Sequence, residues 1–183
     1  DFSLDFHIYK LVPAAERQEL GQIAVDDYAR QVLGFYRAEQ DAASGRLIAW
    51  TNGGALLRLP RPTHNQPFTI QLELAAGTTR PAALGPVQAC LDYRIEQRPW
   101  ADDPQAAPFA PQQCYAITAE PHSYTLQIEP GSYANLPGDS LLIRIQSDTW
   151  LPARDDPQQH DRRVLGLQFL GAVIATVVQS PGN

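Results

Sequence analysis

At 183 residues, with 44% hydrophobic and 19% charged side chains, 16 prolines and 12 glycines, the chain has the make-up of one globular, turn-rich domain. That composition excludes a disordered segment, a coiled coil and a helical bundle. A formal net charge of −6, with 14 basic residues scattered along the chain and Lys10 the only lysine, leaves no clustered footprint for nucleic acid.

In chain order, Phe2 to Leu11 reads as a strand and Ala14 to Leu20 as a short helix with room for about two turns. Gln22 to Val25 and Gln31 to Tyr36 follow as strands. Leu47 to Trp50 and Ala55 to Leu59 are two further strand candidates with a turn signal, Asn52-Gly53-Gly54, between them. Phe68 to Leu74 alternates strictly: Phe68, Ile70, Leu72 and Leu74 share one face, and Thr69, Gln71 and Glu73 the other. Val87 to Ile95 is another strand. Arg98 to Gln113, with its prolines and adjacent acids, is too long for a hairpin turn and reads as a surface excursion. Tyr124 to Ile128 and Leu141 to Ile145 alternate again. Val164 to Val178 is apolar on both faces, as a central strand is, and bends at Gly166 or Gly171. This last stretch is interrupted by Gln168 and falls short of the ~20 residues a bilayer-spanning helix needs. Turn signals at Arg61-Pro62, Ala76-Gly77, Gly85-Pro86, Pro130-Gly131 and Pro137-Gly138-Asp139 punctuate the runs. The pattern predicts an all-β fold, a two-sheet antiparallel β-sandwich of jelly-roll type. It has about ten strands, at most one short helix near the N-terminus, and a single domain over residues 1–183.

Catalytic signatures are missing: there is no dinucleotide, phosphate-loop, nucleophile-elbow or zinc-protease motif, and nothing calls for a cofactor. His7, His64, His122 and His160 are too dispersed to read as one metal site. Glu39, Glu73, Glu96, Glu120 and Glu129 cannot be paired across a glycosidase cleft from spacing alone, and Glu73 and Glu129 sit on the polar faces of strands. Asp155, Asp156 and Asp161 form an acid-rich loop with the ligand types Ca²⁺ uses, but lack the glycine and terminal glutamate of an EF-hand loop. Trp100, beside Asp102 and Asp103 in the excursion, is the aromatic best placed for a sugar ring; Trp150 is a second candidate, for which core packing competes. Asp161, Arg162 and Arg163 at the start of a strand, joined by Glu39, read as a structural clasp in which fork-shaped guanidinium meets carboxylate. Cys90 and Cys114 are open to two readings, a disulfide that suits an oxidising compartment or a pair of buried thiols.

Three segments in order carry a resemblance. They are Gly34-Phe35-Tyr36-Arg37-Ala38-Glu39; Ala49-Trp50-Thr51 with Ala55 to Pro60; and Thr149-Trp150-Leu151-Pro152 with Asp161-Arg162-Arg163-Val164-Leu165-Gly166. Over roughly residues 22 to 178 the chain resembles the extracytoplasmic β-sandwich domain of bacterial multi-pass membrane proteins that look like lipid-linked-sugar glycosyltransferases, a domain similar to carbohydrate-binding and galactose-binding-like jelly rolls. Ala49-Trp50 stands where that family would more usually carry Arg-Trp. The resemblance implies a non-catalytic module that meets envelope glycan outside the cytoplasmic membrane, anchored through segments absent from this chain. A chain that starts at Asp1 and has no methionine reads as a piece of such a protein. Two other classes compete: a purely structural or protein-interaction domain, and a jelly-roll glycoside hydrolase or lyase, which would require two carboxylates in one cleft.

Overall fold

A computed structural model describes residues 17–60, 67–96, 109–110, 112–128 and 140–177. Ten strands run through them: β1 (Arg17–Ile23), β2 (Gln31–Phe35), β3 (Glu39–Gln40), β4 (Leu47–Pro60), β5 (Phe68–Ala75), β6 (Val87–Glu96), β7 (Gln113–Ile117), β8 (His122–Ile128), β9 (Ser140–Ser147) and β10 (Gln168–Val177). All pairings are antiparallel. One sheet orders as β1-β10-β5-β8 and the other as β2-β4-β9-β6-β7. Setting β2 and β3 aside as additions at the edges of β4, the remaining strands wind as two Greek keys. The fold is a jelly roll.

Alternation builds the core. The inward residues of β5, β8 and β10, such as Phe68, Ile70, Leu72, Leu126, Ile128, Phe169 and Ile174, pack against Leu57, Leu59, Leu91, Ile95, Leu141, Ile143 and Ile145 of the facing sheet. Many of these side chains are wholly buried, and each contributes on the order of 2 kcal/mol of transfer free energy.

Three expectations are corrected. Arg17 to Leu20, read as the end of a helix, is the first half of β1: Arg17 pairs with Val177 and Ile23 with Ala172, so the free edge of β10 overrides a helical propensity worth only tenths of a kcal/mol per residue. Among the described residues the α-helix is α1 (Pro152–Asp155), a single turn far from the N-terminus. Asn52-Gly53-Gly54 is not a turn between two strands either. It lies inside β4, where Ala49 and Trp50 pair with β10 and Gly54 to Pro60 pair with β9. Gly53, at φ 94, makes the corner through which one strand passes from sheet to sheet, and a Cβ there would stand 2.3 Å from Thr149 Cγ2. The candidate strand Phe2 to Leu11 lies outside the described residues.

A second apolar cluster sits on the opposite face of the first sheet. Leu170 and Ala75, the neighbours of the core residues Phe169 and Leu74, turn outward there and join Ile48, Trp50, Trp150 and Leu165. The loop from Asp148 to Leu167 crosses over this corner. Trp150 and Leu165 exchange backbone hydrogen bonds of 2.8 and 2.9 Å, Thr51 N donates to Leu167 O at 2.7 Å, and Leu167 N donates back to the buried Thr51 Oγ1 at 2.9 Å.

Candidate functional site

Two concavities flank this corner. The larger, about 670 Å³, is lined by Tyr28, Gln31, Val32, Leu33, Gly34, Phe35, Tyr36 and Arg37. It exists because the chain arrives at β2 through a tight turn, with Arg30 N donating to Asp27 O at 3.0 Å, and then bulges. Register shifts fall on both sides of Leu33, where β2 runs against β4. Gly34, at φ 78, holds the second shift: a Cβ there would lie 2.1 Å from Gly54 O, so only glycine lets the strands approach. The bulge re-aims the side chains of β2. Phe35 turns inward, edge-on to Phe169 at 5.5 Å, whereas Leu33 stays 59% exposed and Tyr28 50%. Gln31 is fixed by its side-chain donation to Val25 O, and the Tyr36 hydroxyl donates to Val164 O at 3.1 Å.

On the other side of Tyr36 lies the clasp. Arg163 Nε donates to Asp161 Oδ1 and Oδ2 at 3.1 and 2.9 Å, and its Nη2 to Oδ2 at 2.7 Å. Its Nη1 and Nη2 also donate to Glu39 Oε2 and Oε1, both at 3.0 Å. The guanidinium lies over the Tyr36 ring at 5.3 Å. One arginine thus ties the crossing loop to β3 through Glu39 while Asp161, in the same loop, holds it in place, in the fork geometry that lysine cannot supply. The bonds from Arg163 hold the Asp161 carboxyl below the usual aspartate range, and the Arg163 pKa is raised by Asp161 first and Glu39 second. Arg162 is a correction. It is exposed and takes no part in the clasp: the chain bends at Arg163, whose N–H donates to Asp161 Oδ1, and the Arg163 side chain is the one folded back onto that carboxylate.

The smaller concavity, about 170 Å³, opens beside the clasp and includes Glu39, Asp41, Trp50, Thr79, Trp150, Gln159, Asp161 and Arg163 in its lining. Trp50 and Trp150 meet edge to face, ring centroids 6.4 Å apart, and are only 4% and 2% exposed. Trp150 therefore offers no open face for a sugar to stack on, which corrects that expectation: the crossing loop folds its ring into the second cluster. The other tentative ligand residues, Trp100, Asp102 and Asp103, lie outside the described residues.

The calcium reading is also corrected. Asp155 accepts from Arg154 Nε and Nη2 and from Leu151 N, which brings its pKa down to about 2; Asp156 accepts from Gln158 N; Asp161 faces Arg163. Among the described residues, no three of His, Cys, Asp and Glu converge as a metal site. Glu73 pairs with Arg46 and Glu96 with Arg58, so each described glutamate among Glu39, Glu73 and Glu96 faces a guanidinium. Asp41, held by Ser44, titrates below its ordinary value. The lowered carboxyls of Asp41, Asp155 and Asp161 are the opposite of the raised one a general acid needs.

Two features on the second sheet escaped the sequence reading. Asp92, 1% exposed, takes Arg144 Nε at 3.0 and 3.2 Å and Nη2 at 2.6 Å. Phe109, from the Pro-rich excursion, lies over the Arg144 guanidinium at 4.0 Å and that of Arg94 at 4.9 Å, while Ala110 N donates to Tyr93 O at 2.8 Å. The strand alternation of β6 and β9 could have matched Asp92 with Arg144; nothing in the sequence points to Phe109. Cys90 and Cys114, opposite one another on β6 and β7, form a disulfide.

No protein-family model matches the chain, and no curated protein matches it. Its fold is similar to that of several solved structures. The xylan-binding module CBM15 aligns with a TM-score of 0.48 at 10% identity, over 96% of this chain and 100% of that one. Xylanase10C from Cellvibrio japonicus, an E385A mutant in complex with xylopentaose, gives 0.43 at 12% identity over 82% of this chain and 29% of the xylanase. A CBM4 structure gives 0.38 at 11% identity, over 87% of this chain and 83% of that one. At such identities, ligand chemistry has to come from this chain's own side chains.

Proposed function

We propose that the chain is a non-catalytic glycan-binding module of an extracytoplasmic protein, with the cleft along β2 as its binding surface. The observation that carries this reading is the cleft's composition: tyrosines at both ends, Tyr28 and Tyr36, with the apolar Leu33 between them and Gln31 and Arg37 in the same walls. Aromatic faces take the C–H side of a sugar while amide and guanidinium groups bond its hydroxyls. A volume near 670 Å³ falls within the range of small-molecule sites. The arginine-paired carboxylates support the absence of hydrolysis, and the Cys90–Cys114 disulfide supports an oxidising compartment. Attachment to a membrane-embedded parent belongs to the same proposal; apolar segments of ~20 residues encoded beside this region are its mark.

A glycan array followed by calorimetry on the oligosaccharides it selects tests the binding claim. Tyr28→Ala is expected to weaken binding at least tenfold, the equivalent of about 1.4 kcal/mol, without loss of fold. Absence of binding to every glycan removes the reading. Leu33, 59% exposed, and Val32, 37% exposed, favour a second reading in which the same strand edge docks a protein segment. A protein partner whose binding is lost in Leu33→Asp, with no glycan bound, decides for it.

A further inference from the structure

The polar groups along the β2 cleft are unevenly committed. Tyr28 Oη accepts from Ala38 N at 3.3 Å, and Tyr36 Oη donates its proton to Val164 O at 3.1 Å. Gln31 gives an amide proton to Val25 O. These bonds fix the side chains as walls, and they leave the unspent side-chain donors of the cleft concentrated on Arg37. Arg37 is exposed, and among the described residues it pairs with no carboxylate. No Asp or Glu is among the residues that line the cleft. The acids nearby in the chain are engaged elsewhere: Glu39 with Arg163, Asp41 with Ser44, and Asp27 3.8 Å from Arg30. In a chain of net charge −6, the cleft is thus a spot of uncompensated positive charge.

We infer, building on the glycan reading of this cleft, that its ligand is an acidic glycan, with the carboxylate of a uronic acid unit on the Arg37 guanidinium and a sugar ring against Tyr28. Tyr28, 50% exposed, is the wall with the more open face, since the Tyr36 ring already carries the Arg163 guanidinium at 5.3 Å. A guanidinium holds its N–H groups in a planar fork, and a carboxylate, which only accepts, meets two of them at once. A sugar hydroxyl brings a proton that this donor-rich cleft has little to receive, and it leaves the charge uncompensated. The rest of the molecule works the other way: a net negative chain repels polyanions, so a preference for an acidic glycan has to come from Arg37.

Calorimetry of the whole 183-residue chain with oligomers of galacturonic, glucuronic and mannuronic acid, each beside its neutral methyl ester, tests this. At least one acid oligomer is expected to bind about fivefold or more tightly than its ester, the worth of one partly solvated arginine–carboxylate pair. Arg37→Gln, an exposed substitution that spares the fold, should lower binding of the acid about fivefold and leave the ester within about twofold. An ester that binds as tightly as its acid, or an Arg37→Gln loss equal for both, overturns the acidic assignment and leaves the cleft a glycan site. Acid binding that survives Tyr28→Ala lies outside the cleft and overturns it too. Tighter binding of a sulfated galactan oligomer than of any uronate overturns the choice of carboxylate. No binding of either acid or ester, with none to any neutral glycan, removes this inference and the glycan reading together.

Discussion

Removing Asp161 tests whether the clasp holds the crossing loop. Asp161→Ala deletes every contact of that carboxylate with Arg163, including the 2.8 Å bond it accepts from Arg163 N, and leaves Arg163 with Glu39 alone. The Arg163 side chain is 33% exposed and that of Asp161 28%, so solvent screens the pair. The expected loss is therefore about 1–2 kcal/mol, between an exposed ion pair and a buried one, or roughly 3–6 °C in Tm for a chain of this size. Urea unfolding of Asp161→Ala, Glu39→Ala and the double variant completes a cycle, with a coupling of about 0.5–1 kcal/mol expected because both acids act through one guanidinium. The pH dependence has a fixed sign. The folded carboxyl titrates below its ordinary value of 3.8. The stability it contributes is thus complete above the unfolded value and is lost as pH falls through the lower, folded one. The acid limb of the wild-type stability curve below about pH 4 should flatten in the variant. A loss under about 0.3 kcal/mol, together with an unchanged acid limb, refutes the clasp as a source of stability.

Gly34→Ala is expected to cost about 3 kcal/mol or more, since a left-handed φ alone costs about 1–2 and the new methyl would strike Gly54 O; a urea midpoint near wild type counts against the bulge. Asp92→Ala leaves Arg144 unpaired beneath Phe109 and should cost about 3 kcal/mol in urea unfolding, whereas Asp92→Ala with Arg144→Met should recover most of it. Reducing the Cys90–Cys114 bridge, whose cysteines are 24 residues apart, should lower stability by about 3.5 kcal/mol on loop-closure grounds, read as a drop in Tm with reductant that a Cys90→Ser, Cys114→Ser variant reproduces.

The sandwich was legible wherever one face of a strand is buried. Phe68, Ile70, Leu72 and Leu74 alternate because they face a core, and the same holds for Leu141, Ile143 and Ile145. Where pairing or backbone geometry decides instead, the pattern misleads: Arg17 to Leu20 carries helical residues and pairs with β10, and Asn52-Gly53-Gly54 carries turn residues yet bends a continuous β4. The clasp was half legible. An acid beside two arginines announces an ion pair, but which arginine pairs is set by the bend at Arg163 and by where β3 brings Glu39. Neither concavity could be read from the sequence. The larger depends on Gly34 letting β2 approach β4, and the smaller on a loop that buries Trp150 against Trp50.

Because β4 belongs to both sheets, the sandwich has no seam along which it can part. A sheet that came away would have to take half of this strand and leave the rest, breaking the Ala49 and Trp50 ladder with β10 or the Gly54 to Pro60 ladder with β9. The two layers should therefore melt as one unit, and the amides of β4 on both sides of Gly53 should exchange with solvent only at the rate of global unfolding.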